Sequence, residues 1–196
     1  MTWFKRLSIM TGRLALISEA EAALLARYAA IPGDHIDIGC LWGGTAILVA
    51  LAKRDAGVPG KVITIDPMTG GWWDSEDPAV KLKPSLELVL ENLEKFHLHD
   101  NNVQVVVKKS DPWPLSKRIH PVSILIDGDH RYEATAADWR NASATTARYI
   151  LFHDYASPKH PGVQKAVDEL ACVDPNWKVV EQDDSMIIFE KIAKRK

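Results

Sequence analysis

The chain of 196 residues has little cysteine, almost no net charge and no long apolar run. Its two cysteines, Cys40 and Cys172, are too few for a disulfide framework or a zinc site, so we expect a reduced, cytoplasmic protein. A formal net charge of −2 gives no broad basic field to attract nucleic acid, and no apolar run approaches the roughly 20 residues that span a bilayer. The first ten residues lack the long apolar core of a signal peptide. We therefore expect a globular protein with neither a nucleic-acid nor a membrane partner.

What the sequence has instead is an alternation of strand-like and helix-like segments. Ser18 and Glu21 form a capping-box pattern that predicts a helix start near Ser18, and Pro32 with Gly33 predicts its end. Apolar runs predict strands at 35–39, 61–66, 103–107, 122–127 and 149–154, and helices are predicted at 45–54, 85–98, 133–140 and 163–170. This alternation is typical of an α/β fold whose mostly parallel sheet is covered by helices on both faces.

The end of the chain departs from this alternation. Two closing strands, 177–182 and 185–191, are separated by Asp183 and Asp184, which predict a hairpin and hence one antiparallel strand. No linker or internal repeat divides the sequence. We expect one domain over residues 1–196, with residues 1–30 as an N-terminal cap or helix segment.

The stretch DIGCLWGGT (37–45) follows the first predicted strand and opens a helix. Gly39 permits a tight turn, and Gly43 lets a ligand approach the backbone at the helix N-terminus. The spacing differs from the G-x-G-x-x-G fingerprint of dinucleotide-binding proteins, which disfavours an NAD-dependent oxidoreductase. Asp66, at the end of the next strand, can accept two hydrogen bonds from a ribose diol, or it can simply cap the turn before Pro67.

Five features together resemble the successive motifs of class I S-adenosylmethionine-dependent methyltransferases. They are HIDIGCLWGGTAILVALA, VITIDPMTGG, Ser110 after the third strand, ILIDGDHRYEATAADW and ILFHDYASPKHPGVQKAVDEL. More narrowly, they resemble the bacterial family that includes macrocin-type sugar O-methyltransferases, over about residues 14–191. The resemblance implies a seven-stranded Rossmann-like sheet of order 3-2-1-4-5-7-6 with strand 7 antiparallel. It also implies S-adenosylmethionine as cofactor.

The resemblance further implies which residues hold that cofactor. Asp37 would hold the methionine amino group, and Asp66 would bind the ribose hydroxyls. The full implied set is Asp37, Gly39, Trp42, Gly43, Asp66, Pro67, Ser110, Asp111 and Asp127. Leu41 stands where broader methyltransferase patterns have a glycine, and the turn before the fifth strand lacks the usual pair of glycines.

Asp127 and Asp154 end the fourth and fifth predicted strands, which are neighbours in the expected sheet and lie ~4.8 Å apart. Ligands bind at this carboxyl edge, and two carboxylates so close repel each other unless a cation or proton intervenes. Mg²⁺ would satisfy them and could hold a substrate hydroxyl, and metal-dependent sugar and catechol O-methyltransferases carry acids at these strand ends. Here His153 stands where such relatives often have an acid. Imidazole suits Mn²⁺, Fe²⁺ or Zn²⁺ better than Mg²⁺, so a metal-free site remains the alternative.

Methyl transfer to oxygen also needs a base for the hydroxyl proton. In the resembling sugar enzymes the second acid of the D-G-D triplet has that role, which here is Asp129; its alternative is the N-cap of the following helix. His130 and His153 are further candidates, because a free imidazole titrates near neutrality. His160, before Pro161, is expected to be a solvated loop residue.

The loop 68–78 (MTGGWWDSEDP) combines two glycines with two tryptophans. It suits a mobile lid over a sugar or ring substrate, and equally a hydrophobic anchor or a contact in a homo-oligomer. The first 17 residues likewise suit a cap or an oligomer contact.

The leading hypothesis is a cytoplasmic S-adenosylmethionine-dependent O-methyltransferase acting on a hydroxyl of a sugar or similar polyol. The alternatives are a nucleoside-binding module without catalysis, an NAD-dependent oxidoreductase and a hydroxylase-associated relative.

Overall fold

The computed structural model describes residues 15–69, 84–98 and 101–193. The expectations for an N-terminal cap before residue 15 and for a tryptophan-bearing lid fall on residues outside these ranges, and they stay predictions.

Helices and strands alternate along most of the described chain as the apolar runs predict, but no helix separates the strand Val103–Val107 from the strand Pro121–Ile126, and the last two strands form a hairpin. The helices are α1 (Glu19–Ala29), α2 (Gly44–Ala56), α3 (Leu86–Lys95), α4 (Tyr132–Ser143) and α5 (Pro161–Ala166), the last continuing as a π-helical turn over Val167–Ala171. The strands are β1 (Asp34–Ile38), β2 (Val62–Asp66), β3 (Val103–Val107), β4 (Pro121–Ile126), β5 (Tyr149–Phe152), β6 (Trp177–Asp183) and β7 (Met186–Lys191). Among the described helices, none is long and apolar enough to cross a membrane.

The strands form one sheet of order β3-β2-β1-β4-β5-β7-β6. Strands β1 to β5 pair in parallel, whereas β7 runs antiparallel to both β5 and β6. The predicted α/β fold, its strand order and its antiparallel hairpin are therefore confirmed. The order reverses between β1 and β4, which places a crevice at the carboxyl ends of the central strands.

The core lies on both faces of this sheet because successive side chains of a strand point to opposite sides. Leu125 of β4 packs with α1 and α2 in one apolar cluster. Its neighbours Ile124 and Ile126 pack with Trp139 of α4 and Phe189 of β7 in the other. Burial on both faces explains why the central strands are continuous apolar runs rather than alternating ones.

Gly39, directly after β1, is where two strand ends come closest. Its φ of +97° lies in the left-handed region, and a Cβ built there would lie 2.0 Å from the carbonyl oxygen of Asp127. Only glycine combines that dihedral angle with so close a backbone approach. The backbone of the turn after β1 therefore lies in direct contact with the backbone at the end of β4.

This contact predicts that Gly39→Ala destabilises the fold by about 3 kcal/mol or more, because strain and a backbone clash add. Gly57→Ala is the matched control: its φ is +63°, but a Cβ there meets nothing within 4 Å. Gly57→Ala should lower the free energy of unfolding by only about 1 kcal/mol, which is the cost of holding a residue with a side chain in the left-handed conformation. Urea unfolding of the two variants measures the difference, and equal losses would contradict the steric explanation.

Candidate active site

The register of the sheet brings an acid and an imidazole together at the carboxyl edge. Ile38 of β1 lies level with Ile126 of β4, which lies level with Phe152 of β5. The next residues after β4 and β5, Asp127 and His153, therefore leave the sheet side by side.

The turn between β1 and α2 is held by the carboxylate of Asp66, the last residue of β2. Its Oδ2 accepts the backbone N–H of Cys40 at 2.9 Å, and its Oδ1 accepts that of Met68 at 2.7 Å. Each carboxylate oxygen has a further lone pair, so these bonds leave acceptor capacity for a ribose diol. Gly43 is the N-cap of α2 with φ of +86°, and Pro67 follows Asp66, half-buried at the same edge.

Leu41 and Trp42, within that turn, are placed differently from each other. Leu41 adopts a φ of +48°, the conformation that a glycine would take without strain. The turn thus keeps its shape despite the missing glycine. Trp42, expected among the cofactor contacts, is buried in the apolar cluster shared with α1 and α2, and its carbonyl accepts a hydrogen bond from Asn92.

Asp37 is fully buried within β1 and only half satisfied. Its Oδ2 accepts a hydrogen bond from Thr45 at 2.7 Å, while its Oδ1 is buried without a hydrogen-bond partner among the described residues. Burial raises the pKa of Asp37 to about 8, and the nearby carboxylates of Asp127 and Asp66 add to the rise. A buried acceptor of this kind suits a cationic group such as the ammonium of the cofactor's methionine.

Ser110 and Asp111, after β3, lie against α4. Asn141 Nδ2 donates to the carbonyl oxygen of Ser110 at 3.3 Å and to Asp111 Oδ1 at 3.4 Å. Sequence reasoning missed Asp138 of α4, which is buried beside them. Burial raises the pKa of Asp138 to about 6, against the lowering effect of a hydrogen bond with Ser110. The sequence pattern that could have indicated a buried Asp138 was its position between Ala137 and Trp139, on the apolar face of a predicted helix.

Five side chains converge beyond β4 and β5. His153 Nδ1 lies 3.0 Å from Asp127 Oδ1 and 3.3 Å from Asp154 Oδ2. His130 Nε2 lies 3.1 Å from Asp154 Oδ2 and 3.7 Å from Asp127 Oδ1, and His160 Nε2 lies 3.8 Å from Asp154 Oδ2. We call these five residues the strand-end cluster. The prediction that Asp127 and Asp154 lie near each other is thereby supported, with imidazoles beside both.

Asp154 reaches the strand-end cluster from an unusual backbone conformation. It is a non-glycine residue with a φ of +58°, and Ala156 close behind it has a φ of +61°. Such left-handed residues cost about 1 kcal/mol or more each and concentrate at functional sites. The chain turns sharply here, immediately after β5.

The charges within the strand-end cluster compensate one another. Although burial opposes it, the carboxylates of Asp127 and Asp154 raise the pKa of His130 to about 9. Burial also opposes the charge of His153, yet Asp127, Asp154 and Glu21 hold the pKa of His153 far above its usual range. The two imidazoles in turn lower the pKa values of Asp127 and Asp154. Without a metal, neither His130 nor His153 is therefore a free base at neutral pH.

Two members of this region were not expected from the sequence. Glu21, noticed only for its capping box, is 3% exposed and has Oε2 3.4 Å from His153 Nε2. His160 was expected in a solvated loop, but its ring stacks on His130 with centroids 4.0 Å apart. A Cβ on Gly162 would lie 2.5 Å from the carbonyl oxygen of His130, so glycine there lets α5 begin against this segment. The contacts of Glu21 with His153 and of His160 with His130 join residues far apart in sequence, and no local sequence pattern predicts them.

Asp129 does not cap α4, contrary to one of its two predicted roles. The N-cap residue is Arg131, and Asp129 Oδ1 accepts its backbone N–H at 3.1 Å. The Arg131 guanidinium also pairs with the carboxylate, at 2.6 Å between Nη2 and Oδ2. Although partial burial opposes it, Arg131 lowers the pKa of Asp129. Asp129 thus stays ionised at the rim of the cluster.

The donor atoms of the strand-end cluster fit a borderline divalent ion. Tetrahedral bonds of 2.0 Å place donors about 3.3 Å apart, and octahedral bonds of 2.1 Å place neighbouring donors about 3.0 Å apart. The donor atoms of Asp127, His153 and Asp154 lie within 4.8 Å of one another, as do those of His130, Asp154 and His160, and the imidazole–carboxylate distances in these two overlapping sets run from 3.0 to 3.8 Å. His130 Nε2 is buried yet makes no well-aimed hydrogen bond among the described residues. A mixed set of imidazoles and carboxylates suits Mn²⁺, Fe²⁺ or Zn²⁺ better than Mg²⁺.

The order of the sheet, with a glycine turn after β1 and an acid closing β2, is the one that the resemblance to class I S-adenosylmethionine-dependent methyltransferases implies. A family model described as a methyltransferase domain matches residues 36–155. That is more than half of the chain, so the chain belongs to this methyltransferase family. A search of curated proteins found no match.

Solved structures of O-methyltransferases share the fold. The O-methyltransferase NovP is 21% identical, with a TM-score of 0.75 over 92% of this chain and 83% of that one. An O-methyltransferase from Bacillus cereus in complex with SAH is 17% identical, with a TM-score of 0.60 over 96% and 89%. CalS11, a TDP-rhamnose 3'-O-methyltransferase, is 16% identical, with a TM-score of 0.59 over 96% and 92%. At these identities the likeness is one of fold.

The raised pKa of Asp37 predicts a pH-dependent stability difference. The folded state retains a proton that the unfolded carboxyl loses above its ordinary pKa of about 4, so Asp37 destabilises the fold increasingly between about pH 4 and about pH 8. Asp37→Asn removes this charge and keeps an acceptor for Thr45. In the absence of cofactor, the D37N variant should gain stability over the wild type across that range, on the order of a few kcal/mol by pH 8. Thermal unfolding at several pH values measures this, and parallel stability curves would refute it.

Proposed function

We propose that this methyltransferase transfers the methyl group of S-adenosylmethionine to a hydroxyl of a sugar or similar polyol in the cytoplasm, assisted by a divalent metal at the strand-end cluster. The observation that carries the proposal is the adjacency of two half-sites on one edge of the sheet. One is the glycine turn with the carboxylates of Asp37 and Asp66. The other is the strand-end cluster, one strand spacing away.

The first half-site supports cofactor binding. Asp66 has lone pairs for the ribose hydroxyls, and the unpaired Oδ1 of Asp37 is an acceptor for the methionine ammonium. Ser110 lies on the side where the resemblance places the adenine. The approach of a ligand to the N-terminus of α2 needs the positive φ of Gly43. These residues would fix the sulfonium methyl toward the strand-end cluster.

The second half-site supports an oxygen acceptor. Asp127 and Asp154 would hold the metal with the imidazoles of His153 and His130, and a bound divalent ion lowers the pKa of a coordinated hydroxyl and fixes its orientation. Asp129, whose pKa is lowered by Arg131, would take the hydroxyl proton. As the oxygen attacks, the new C–O bond forms while the C–S bond breaks, leaving S-adenosylhomocysteine, the methyl ether and one proton.

The sugar class of the acceptor follows from two lines of support. Polar and charged groups line this edge rather than an apolar slot. In addition, CalS11, which shares the fold, is a TDP-rhamnose 3'-O-methyltransferase. A binding module without catalysis is a second candidate, because the pairing of Asp129 with Arg131 occupies the residue expected to act as base.

Cofactor choice is tested by titration calorimetry with S-adenosylmethionine and with NADH. We expect S-adenosylmethionine alone to bind, and Asp66→Asn to weaken that binding about tenfold or more, because a neutral amide replaces a charged acceptor for the ribose. Asp55→Asn, an exposed acid of α2, is the control and should bind as the wild type does. Binding of NADH in place of S-adenosylmethionine would exclude the proposal.

The role of Asp129 is tested by Asp129→Asn, with turnover followed as S-adenosylhomocysteine formation on a panel of sugars and nucleotide sugars. We expect kcat to fall about 10²-fold or more with little change in cofactor affinity. Glu133→Gln, an exposed residue in the first turn of α4, should leave turnover unchanged. Unaltered turnover of the D129N variant would remove Asp129 as the base. Cofactor binding without turnover of any acceptor by the wild type would favour the binding module.

A further inference from the structure

Glu21 of α1 carries a carboxylate that is buried and fully engaged. Its Oε1 accepts the N–H of Ser185 at 2.9 Å and the hydroxyl of Ser185 at 2.6 Å. Its Oε2 accepts the N–H of Ser18 at 2.8 Å and faces His153 Nε2 at 3.4 Å. The capping box of α1 accounts for Ser18 only. The contact with His153 joins positions 132 residues apart in the chain.

The chemistry of a carboxylate fixes the direction of that contact. An ionised Glu21 can only accept, so Nε2 of His153 carries a proton, and it keeps this proton when a divalent ion displaces the second ring proton from Nδ1. The other ring nitrogen, Nδ1, then points at Asp127 Oδ1 and Asp154 Oδ2, 3.0 and 3.3 Å away. The side chains of Glu21 and His153 are 4% and 8% exposed, so solvent does not compete freely for the ring. This is the arrangement in which an outer carboxylate orients a metal-binding histidine.

We propose that Glu21 is a positioning residue that holds His153 with Nδ1 available to a divalent ion, and that this nitrogen donor makes the site select ions such as Co²⁺, Mn²⁺ or Zn²⁺ over Mg²⁺. The inference rests on the proposed metal-assisted function and deepens it. It extends the site to the helix that precedes the first strand. His153 stands where metal-dependent relatives often have an acid, and the expected consequence of this difference is a change in the metal ion that the site prefers.

The two oxygens of Glu21 allow its structural and positioning roles to be separated. Ser185 bonds only to Oε1, whereas His153 faces Oε2. Ser185→Ala therefore removes a buried hydrogen bond of Glu21 without touching the bond to His153. Glu21→Gln keeps the size of the side chain but removes its charge, and an amide oxygen accepts the Nε2–H of His153 more weakly than a carboxylate does, so the ring is held less firmly.

The test is calorimetric titration of the full chain with Co²⁺ and with Mg²⁺, together with the visible spectrum of bound Co²⁺. For the wild type we expect tighter binding of Co²⁺ than of Mg²⁺. Glu21→Gln should weaken Co²⁺ binding about 10- to 100-fold and change the visible spectrum. Ser185→Ala should lower the melting temperature and leave Co²⁺ affinity within about twofold of the wild type. Equal weakening in both variants, or none in the E21Q variant, would overturn the proposal.

A second variant covers the case in which Glu21→Gln does not fold. His153→Asp replaces the imidazole donor beside Asp127 with a carboxylate, so the metal preference of the site should shift from Co²⁺ toward Mg²⁺. An unchanged preference would overturn the role of Nδ1. S-adenosylmethionine binding is measured on every variant. A wild type that binds S-adenosylmethionine but neither metal ion refutes this inference and the metal assistance, and leaves methyl transfer from S-adenosylmethionine standing. Failure to bind S-adenosylmethionine refutes the proposed function as a whole.

Discussion

The repulsion between two carboxylates at the ends of neighbouring parallel strands is the constraint on which the rest of the site depends. Strand register places Asp127 next to His153, and the left-handed turn at Asp154 brings a second acid to the same point. Two such charges are stable together only with positive charge between them. His153 and His130 provide it as imidazolium ions, and a divalent ion can take over that role.

The surrounding helices and turns each contribute a contact at or beside the strand-end cluster. The first helix supplies Glu21, which is tied to the β6–β7 turn through Ser185 and to the cluster through His153. Gly162 lets α5 begin against the His130 backbone, and His160 stacks there. The lack of a side chain at Gly39 lets the turn after β1 contact the backbone of Asp127. Backbone contacts as well as side chains therefore bring this turn and the strand-end cluster to one edge of the sheet.

Sequence reasoning succeeded where the signal is periodic or fixed by topology. Apolar runs alternating with helices predicted the order of the elements, and the pair Asp183 and Asp184 predicted the hairpin and its antiparallel strand. The resemblance to methyltransferases supplied the strand order, and that order predicts that Asp127 and Asp154 approach each other. Sequence reasoning failed where distant segments meet. Nothing near Glu21 or His160 in the chain indicates their contacts with His153 and His130. The N-cap role, one of the two predicted for Asp129, was also wrong, because Arg131 is the N-cap and pairs with the Asp129 carboxylate. The acidic pattern predicted that Asp127 and Asp154 meet, but the balance of charge among these carboxylates and the imidazoles beside them follows only from the tertiary structure.

The most direct test of the central claim is a crystal structure with S-adenosylhomocysteine and Mn²⁺, with anomalous data collected at the manganese edge. We expect the ribose at Asp66, the sulfur facing the strand-end cluster, and one anomalous peak within about 2.3 Å of Asp127, Asp154 and His153 Nδ1. A cofactor bound away from this edge would contradict that claim. So would a cluster that keeps its carboxylate–imidazole contacts, without an anomalous peak, at saturating Mn²⁺.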